Sequence, residues 1–444
     1  GLSETPVSKH IVIKADSTKN RIAELRQHLA DAQKNDLTFN ASGARHSMGA
    51  HAIARNGANV TLDSAFIEPD TSTSTYRVNA GALWSQVITA LDPIGFGPKV
   101  MQSNNDFAVA STFSVNAHGW PFAQGPMGST VKSFRMLLAS GDLIECSRSK
   151  NQELFNLTMG GYGLFGVIVD LDVEMAMNKR LAPQYELMNA VDFGKSMVSA
   201  LSDPSIDLAY GRLNIDRNDF FSHGLLISYR PTEDQSALPV ATGSGMISRL
   251  SRHILRNQLG NENFKRLRWS VETDLQPHLS SGIATRNTLI NEPVVTLEDR
   301  DPNITDILHE YFVSPEKFPE FVTVCKRVIP SSYQELLNIT LRYVETDQDS
   351  VLRYATGPRI AAVMLFSQEM TQRAEADMQR MTQALIEGVQ ALGGSYYLPY
   401  RPHATQSQFL SCYSNASAFA DAKRQYDPEI RFSNGFWTNY LENI

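Results

Sequence analysis

A strand, a helix and a second strand that empties into a glycine-bracketed loop constrain this chain more than any other stretch. Lys9 to Ala15 (KHIVIKA) alternates as a strand does. Ser17 or Thr18 then caps a helix in which Ile22, Leu25, Leu29 and Ala32 share one face. Leu37-Thr38-Phe39-Asn40 is the next strand-like run, and it delivers Ser42 to His51 (SGARHSMGAH) before Asn59-Val60-Thr61-Leu62 resumes. Gly43 and Gly49 let the backbone turn tightly and show its amides as a concave row, which suits an anion and typically a phosphate. His46 lies inside the loop, where an imidazole meets whatever the amides hold; the plainer reading has it satisfying the turn.

The 444 residues suffice for two or three domains with sizeable cores. A net charge of -7 and a pI near 5.8 lack the basic footprint of a nucleic-acid binder. No apolar run approaches the roughly 20 residues that span a bilayer, so no transmembrane segment is expected. Cys146, Cys325 and Cys412 are scattered, without CxxC spacing, and make neither a zinc site nor a disulfide framework. The first residue is Gly1 and not methionine, so a processed start is expected. That leaves an exported or periplasmic protein and a cytoplasmic one both open.

Further along, Val60–Leu62 and Tyr76–Ala80 read as strands and Leu83 to Leu91 as a helix. Val100 to His118 is polar and rich in small residues, which fits a surface loop or backbone packed tightly against a ligand. Phe134 to Ser147 reads as a hairpin turning at Ser140-Gly141-Asp142, Asn151 to Leu157 as a short helix, and Val167 to Met175 as a strand. The texture changes near Asn178. Strands at Ile206–Tyr210, Gly224–Tyr229, Glu335–Thr346 and Ile360–Ser367 alternate with helices, the longest from Met370 to Leu392 and closed by Gly393-Gly394.

Several familiar chemistries lose their support. Gly161-Tyr162-Gly163-Leu164-Phe165-Gly166 matches GxGxxG, but it follows a helix and precedes a strand, the reverse of a dinucleotide fingerprint. His46 and His51 have no third ligand nearby, and neither HExxH, GxSxG nor GxxxxGK[ST] occurs, so no metal site is expected. The basic run of Arg249, Arg252, Arg256, Lys265, Arg266 and Arg268 reads as a solvated helix face, with docking to an acidic partner or membrane surface as the second reading.

Taken together, the loop, the Ser111–Gly119 segment (STFSVNAHG) and the chain end resemble the vanillyl-alcohol-oxidase-type (PCMH-type) FAD flavoproteins. Within these the nearest group is the alditol oxidases, aldonolactone oxidases and decaprenylphosphoryl-ribose oxidases. Arg45-His46-Ser47 with Gly49 is similar to the family's Gly-His-Ser loop around the FAD pyrophosphate, with Arg45 in place of the usual glycine. The resemblance implies FAD as cofactor, held by Gly43, Ala44, Arg45, Ser47, Met48 and Gly49, with His46 as the covalent attachment point. It further implies that Ser111, Asn116, Ala117, His118 and Gly119 line the flavin, and that Gly163, Gly166 and Ile168 close over the adenine and ribose end.

At the chain end, Ile339-Thr340-Leu341-Arg342-Tyr343 resembles the strand bearing a substrate-side arginine, which matches Arg342. Gly394 to Tyr400 (GSYYLPY) is similar to the segment that brings a lysine to the flavin, and Tyr400 stands where that lysine would be. Tyr397, Tyr400 or His403 then serve as base, a phenol needing a lowered pKa to do so. The expected fold is α+β. A two-subdomain FAD-binding domain (1–178) precedes a cap with an antiparallel sheet flanked by helices (179–395), and residues 396–444 return to the first domain. The implied reaction is oxidation of a CH–OH group of a small alcohol, a sugar alcohol, lactone or polyol, with O2 or another acceptor reoxidising the flavin. An aromatic or phenolic alcohol, or flavin binding without turnover, are the alternatives.

Overall fold

In the computed structural model, residues 4–242, 259–275, 283–291 and 301–444 are described. The first layer is a three-stranded parallel sheet of β1 (Lys9–Ile13), β2 (Phe39–Ser42) and β3 (Ala58–Leu62), with β3 in the middle. Helix α1 (Thr18–Lys34) joins β1 to β2. Ser17 caps it by accepting from the Asn20 amide, and Leu25 and Leu29 are buried on one face.

A second, antiparallel sheet follows. It contains β4 (Ile67–Asp70), β5 (Thr75–Asn79), β6 (Phe96–Pro98), β7 (Val131–Leu137), β8 (Leu143–Ser147) and β9 (Val167–Met177), with β9 pairing β5, β6 and β7. The β7–β8 hairpin turns where expected, and Gly141 there takes a φ of 86° that glycine accepts without strain. Helix α2 (Trp84–Leu91) falls one residue inside its expected start. The polar stretch before His118 is not wholly loop: helix α3 (Val109–Ser114) forms within it, its Thr112 and Ser114 hydroxyls bonding back to the carbonyls of Val109 and Ala110.

The third sheet is antiparallel and eight-stranded: β10 (Arg180–Asn189), β11 (Leu208–Leu213), β12 (His223–Pro231), β13 (Ala284–Thr285), β14 (Ile304–Val313), β15 (Glu335–Val344), β16 (Arg359–Glu369) and β17 (Ser395–Tyr396). They lie in the order β13-β10-β12-β11-β15-β16-β14-β17. Helices α4 (Phe318–Val328) and α5 (Gln372–Ala391) pack together, and α5 lies against β14 and β16. The architecture is therefore α+β, with an antiparallel sheet carrying helices, as the resemblance implied.

Side chains alternate across this third sheet. His309, Tyr311 and Phe366 face the helices, whereas Leu308, Glu310, Thr340, Arg342 and Leu365 line a cavity on the other face. Strand β14 was not anticipated, because His309 and Glu310 interrupt its apolar run. Of the basic run, Arg249, Arg252 and Arg256 lie outside the described residues. Lys265 is buried against Glu262 and Glu335, and Arg268 pairs with Glu272. Those two are structural, not a solvated face. Among the described residues no helix is long and apolar enough to cross a membrane.

The C-terminal residues extend the first sheet's edge: the Phe39 amide donates to Arg431 O at 2.6 Å and the Ser433 amide to Phe39 O. Helix α6 (Ala416–Tyr426) anchors them, as the fully buried Lys423 donates to Leu164 O at 2.7 Å and pairs with Asp427. His51 is buried between Tyr162 and Phe436. Burial lowers the His51 pKa to about 4, and burial likewise depresses that of His309. Both rings are neutral in the fold yet titrate near the ordinary histidine value when unfolded, so the unfolded chain binds more protons as pH falls from about 6.5. The melting temperature is expected to drop between pH 6.5 and 4, His51 contributing up to about 3 kcal/mol of that loss. His51→Phe should shrink the drop, and an unchanged pH dependence would remove His51 as its source.

Candidate functional site

The floor of the cavity is the loop that follows β2. A Cβ on Gly43 would collide with Ala108 and approach Ser111 Oγ at 2.7 Å, so only glycine lets the loop lie this close to α3. Arg45 has a φ of 60°, the conformation for which glycine is the usual choice, so the substitution keeps the loop's course at the cost of local strain of about 1 kcal/mol. Gly43, Ala44, Arg45, His46 and Ser47 line the cavity, and the His46 ring stacks on Phe107 at 4.4 Å. Met48 and Gly49 do not line it. They clasp the far segment instead: the Met48 amide donates to Pro399 O at 3.0 Å, and a Cβ at Gly49 would meet Tyr400 O at 2.7 Å.

One wall comes from α3 and the turn after it, contributing Ser111, Ala117 and His118. Asn116 points elsewhere: its Nδ2 donates to Asp347 Oδ2 at 3.0 Å and its Oδ1 accepts from the Gly128 amide at 2.8 Å, which fixes the turn's φ of 46°. Gly119 is likewise pressed against Met101 and is not among the residues lining this cavity. Gly163, Gly166 and Ile168 line the opposite wall, and Gly163 faces open space, with no atom within 4 Å of where a Cβ would stand.

The roof is the open face of the third sheet. Tyr210 and Arg212 come from β11, Tyr229 from β12, Glu310 from β14, Asn338, Thr340 and Arg342 from β15, and Val363 and Leu365 from β16. The cavity they close is about 490 Å³, within the usual range for ligand sites. Arg342 Nη2 donates to Ser103 Oγ at 2.7 Å, which ties the roof to the wall.

Its most distinctive chemistry centres on Glu310, which is 4% exposed. The Tyr400 hydroxyl donates to Glu310 Oε2 at 3.1 Å, and His118 Nε2 bonds Oε1. Burial, then the negative charge of Glu310, push the Tyr400 phenol well above its ordinary value, while Arg342 opposes this. Burial raises Tyr397 similarly, and its hydroxyl donates to Val115 O at 2.8 Å. Both are therefore neutral phenols, the opposite of what a phenolate base requires. His403 does not line the cavity; its Nε2 lies 2.7 Å from Glu375 Oε1 and its Nδ1 3.3 Å from Thr382, on the helix-covered side of the sheet.

Sequence reasoning named Arg342, Tyr397, Tyr400 and His118 but missed Glu310, Arg212 and Trp120. No local signal singled out Glu310, because Asp306 stands at the same phase of the same strand, and only the packing of the strand shows which of the two acids faces the cavity. No group of three or more His, Cys, Asp or Glu that could hold a metal ion occurs among the described residues.

The floor and walls suit a large, flat, anionic ligand. Small residues (Gly43, Ala108, Ala110, Ala117, Gly163) allow close approach, and the buried Ser47 Oγ and Gln102 Oε1 have no hydrogen-bond partner among the described residues. Residues 18–147 match the family model described as FAD binding domain. The chain is 27% identical over 226 residues to an uncharacterized oxidoreductase, ORF5 in the fasciation locus, of Rhodococcoides fascians, covering 48% of this chain and 51% of that one. It is 27% identical over 240 residues to cytokinin dehydrogenase 2 of Arabidopsis thaliana, covering 52% and 46%. The matches thus span about half the length of these curated relatives. A crystal structure of 6-hydroxy-D-nicotine oxidase from Arthrobacter nicotinovorans shares the fold, with a TM-score of 0.62 and 13% identity, over 97% of this chain and 93% of that one.

FAD is accordingly the cofactor, and the small-residue cradle fits it. Gly43→Val would drive a branched side chain into Ala108 and Ser111, an overpacking worth roughly 1–3 kcal/mol. The purified variant is expected to hold about a tenth of the flavin or less, read as flavin over protein absorbance. Full flavin content would show that the loop does not cradle the cofactor.

Proposed function

We propose that this chain, which carries the FAD-binding domain of the PCMH-type flavoproteins, is an FAD-dependent oxidoreductase acting on a CH–OH carbon of a small alcohol. The observation that carries this reading is the Tyr400–Glu310–His118 chain of hydrogen bonds inside the cavity. Removing a hydride from a carbinol carbon leaves its hydroxyl proton to be accepted, and a buried carboxylate reached through a neutral phenol does that. A substrate hydroxyl that donates to Tyr400 Oη while Tyr400 donates to Glu310 gives the proton a two-step path. His118, bonded to the other carboxylate oxygen, orients Glu310. Arg342, close enough to act on the Tyr400 phenol, stabilises negative charge that develops on the substrate oxygen.

When bound, FAD supplies the hydride acceptor at its N5 atom, and O2 or another acceptor reoxidises it. Gly43, Ala44, Arg45 and Ser47 would hold its pyrophosphate, Ser111 and Ala117 its flavin face, and Gly163, Gly166 and Ile168 its adenosine end. His46 is the proposed tether. The polar roof of Arg212, Asn338, Thr340 and Arg342 favours a polyol, sugar alcohol or lactone; the Trp120, Tyr210 and Tyr229 rings favour an aromatic alcohol as the second reading. The proposed domain division sets the cofactor domain before residue 178 and the substrate-side cap at 179–395, with 396–444 returning, supported by the change of sheet after β9.

If His46 tethers FAD, acid-precipitated protein stays yellow and His46→Ala releases the colour; a colourless precipitate from the unmutated protein rules the tether out. Anaerobic mixing with a panel of polyols, lactones and aromatic alcohols should bleach the flavin. Glu310→Gln, Tyr400→Phe and Arg342→Ala should each slow that bleaching by about a hundredfold or more with FAD still bound. Unchanged reduction rates would take the residue concerned out of the mechanism.

A further inference from the structure

Among the described residues, the charged ones that line the cavity are Arg45, Arg212, Arg342 and Glu310. Arg45 belongs to the floor loop, where its Nη1 lies 3.4 Å from His10 Nε2. Glu310 is engaged by His118 and Tyr400, on the β14 side.

Arg212 is on the other side of the roof. Its Nη1 donates to Asn338 Oδ1 at 2.8 Å and to Thr340 Oγ1 at 2.6 Å, both neutral acceptors, and its guanidinium lies 5.3 Å from the Tyr210 ring centroid. No carboxylate comes within ion-pair distance of it among the described residues. The β11–β15 register sets Arg212 opposite Thr340, so Arg342 occupies the diagonal position on the same face. A guanidinium on a cavity wall whose acceptors among the described residues are neutral suits an anionic ligand.

A second observation points the same way. Trp120 is 7% exposed, lines the cavity, and packs edge-on against Tyr210 at 5.2 Å and Tyr229 at 5.6 Å. Its indole Nε1–H is buried without a hydrogen-bond acceptor among the described residues. A buried donor with no partner costs free energy unless a ligand supplies the acceptor. Arg212 and this N–H, both packed against the Tyr210 ring, thus make one acceptor-seeking corner.

We propose that the substrate is a hydroxy acid, an alcohol whose carboxylate is received by Arg212 and the Trp120 indole N–H while its carbinol faces Tyr400. One guanidinium and one indole N–H match one carboxylate better than a phosphate dianion. The proposal rests on the CH–OH oxidation reading, and its test separates the two. Holoprotein is mixed anaerobically with matched pairs, gluconate against sorbitol and mandelate against benzyl alcohol, while flavin bleaching is followed. The acid of at least one pair should show a KM at least about tenfold below its neutral partner. Arg212→Gln should raise the acid's KM about tenfold to a hundredfold with little change in kcat, and Arg212→Lys should recover part of it.

Calorimetric titration of the same holoprotein with gluconate and mandelate supplies a readout independent of turnover. Saturable binding that weakens at least about tenfold in Arg212→Gln supports the anion site even if no alcohol bleaches the flavin, the result that would sink the oxidation reading instead. A neutral partner preferred in both pairs, carboxylate binding unaffected by Arg212→Gln, or a sugar phosphate bound more tightly than the matching carboxylate overturns the proposal.

Discussion

Everything near the cavity depends on one buried carboxylate. Glu310 sits on a strand of the third sheet, its first partner His118 follows α3 in the second layer, and its second partner Tyr400 belongs to the segment after β17. A carboxylate this deep is costly unless both oxygens are served, so the fold is stable only with all three segments in register. The same contacts that offset burial also place a proton acceptor, a donor and an imidazole at one point of the wall. Structural necessity and chemistry share these atoms.

That economy explains what could be read in the sequence. The first strand–helix–strand unit was legible because its signals are local: a period of two, then a period of 3.6, then glycines where the backbone must turn. The β7–β8 hairpin and the long helix closing at Gly393 were legible for the same reason. The loop's contribution to the cavity was readable too, since Gly43 to Ser47 line it, whereas Met48 and Gly49 turned out to grip Pro399 and Tyr400.

Glu310, Arg212 and Trp120 were not legible, and for a common reason. Each matters through partners far along the chain: Glu310 through His118, Arg212 through Asn338 and Thr340, Trp120 through Tyr210 and Tyr229. A single sequence carries the residue types but not which strands become neighbours. The direction of the Tyr400 pKa was equally hidden, because it follows from burial beside Glu310 and not from the tyrosine's own sequence context.

The clasp between the floor loop and the chain end has a consequence for how the molecule is made. Phe39 is completed as an edge by Arg431 and Ser433, and the loop beyond it is held by Pro399, Tyr400 and Gly435. During synthesis the loop emerges from the ribosome hundreds of residues before the segments that fix it. Contacts of such separation form late and slowly. Until then the nascent chain holds an unfinished cradle and an open strand edge. Completion of the cradle is thus a closing event of folding, not an early nucleus.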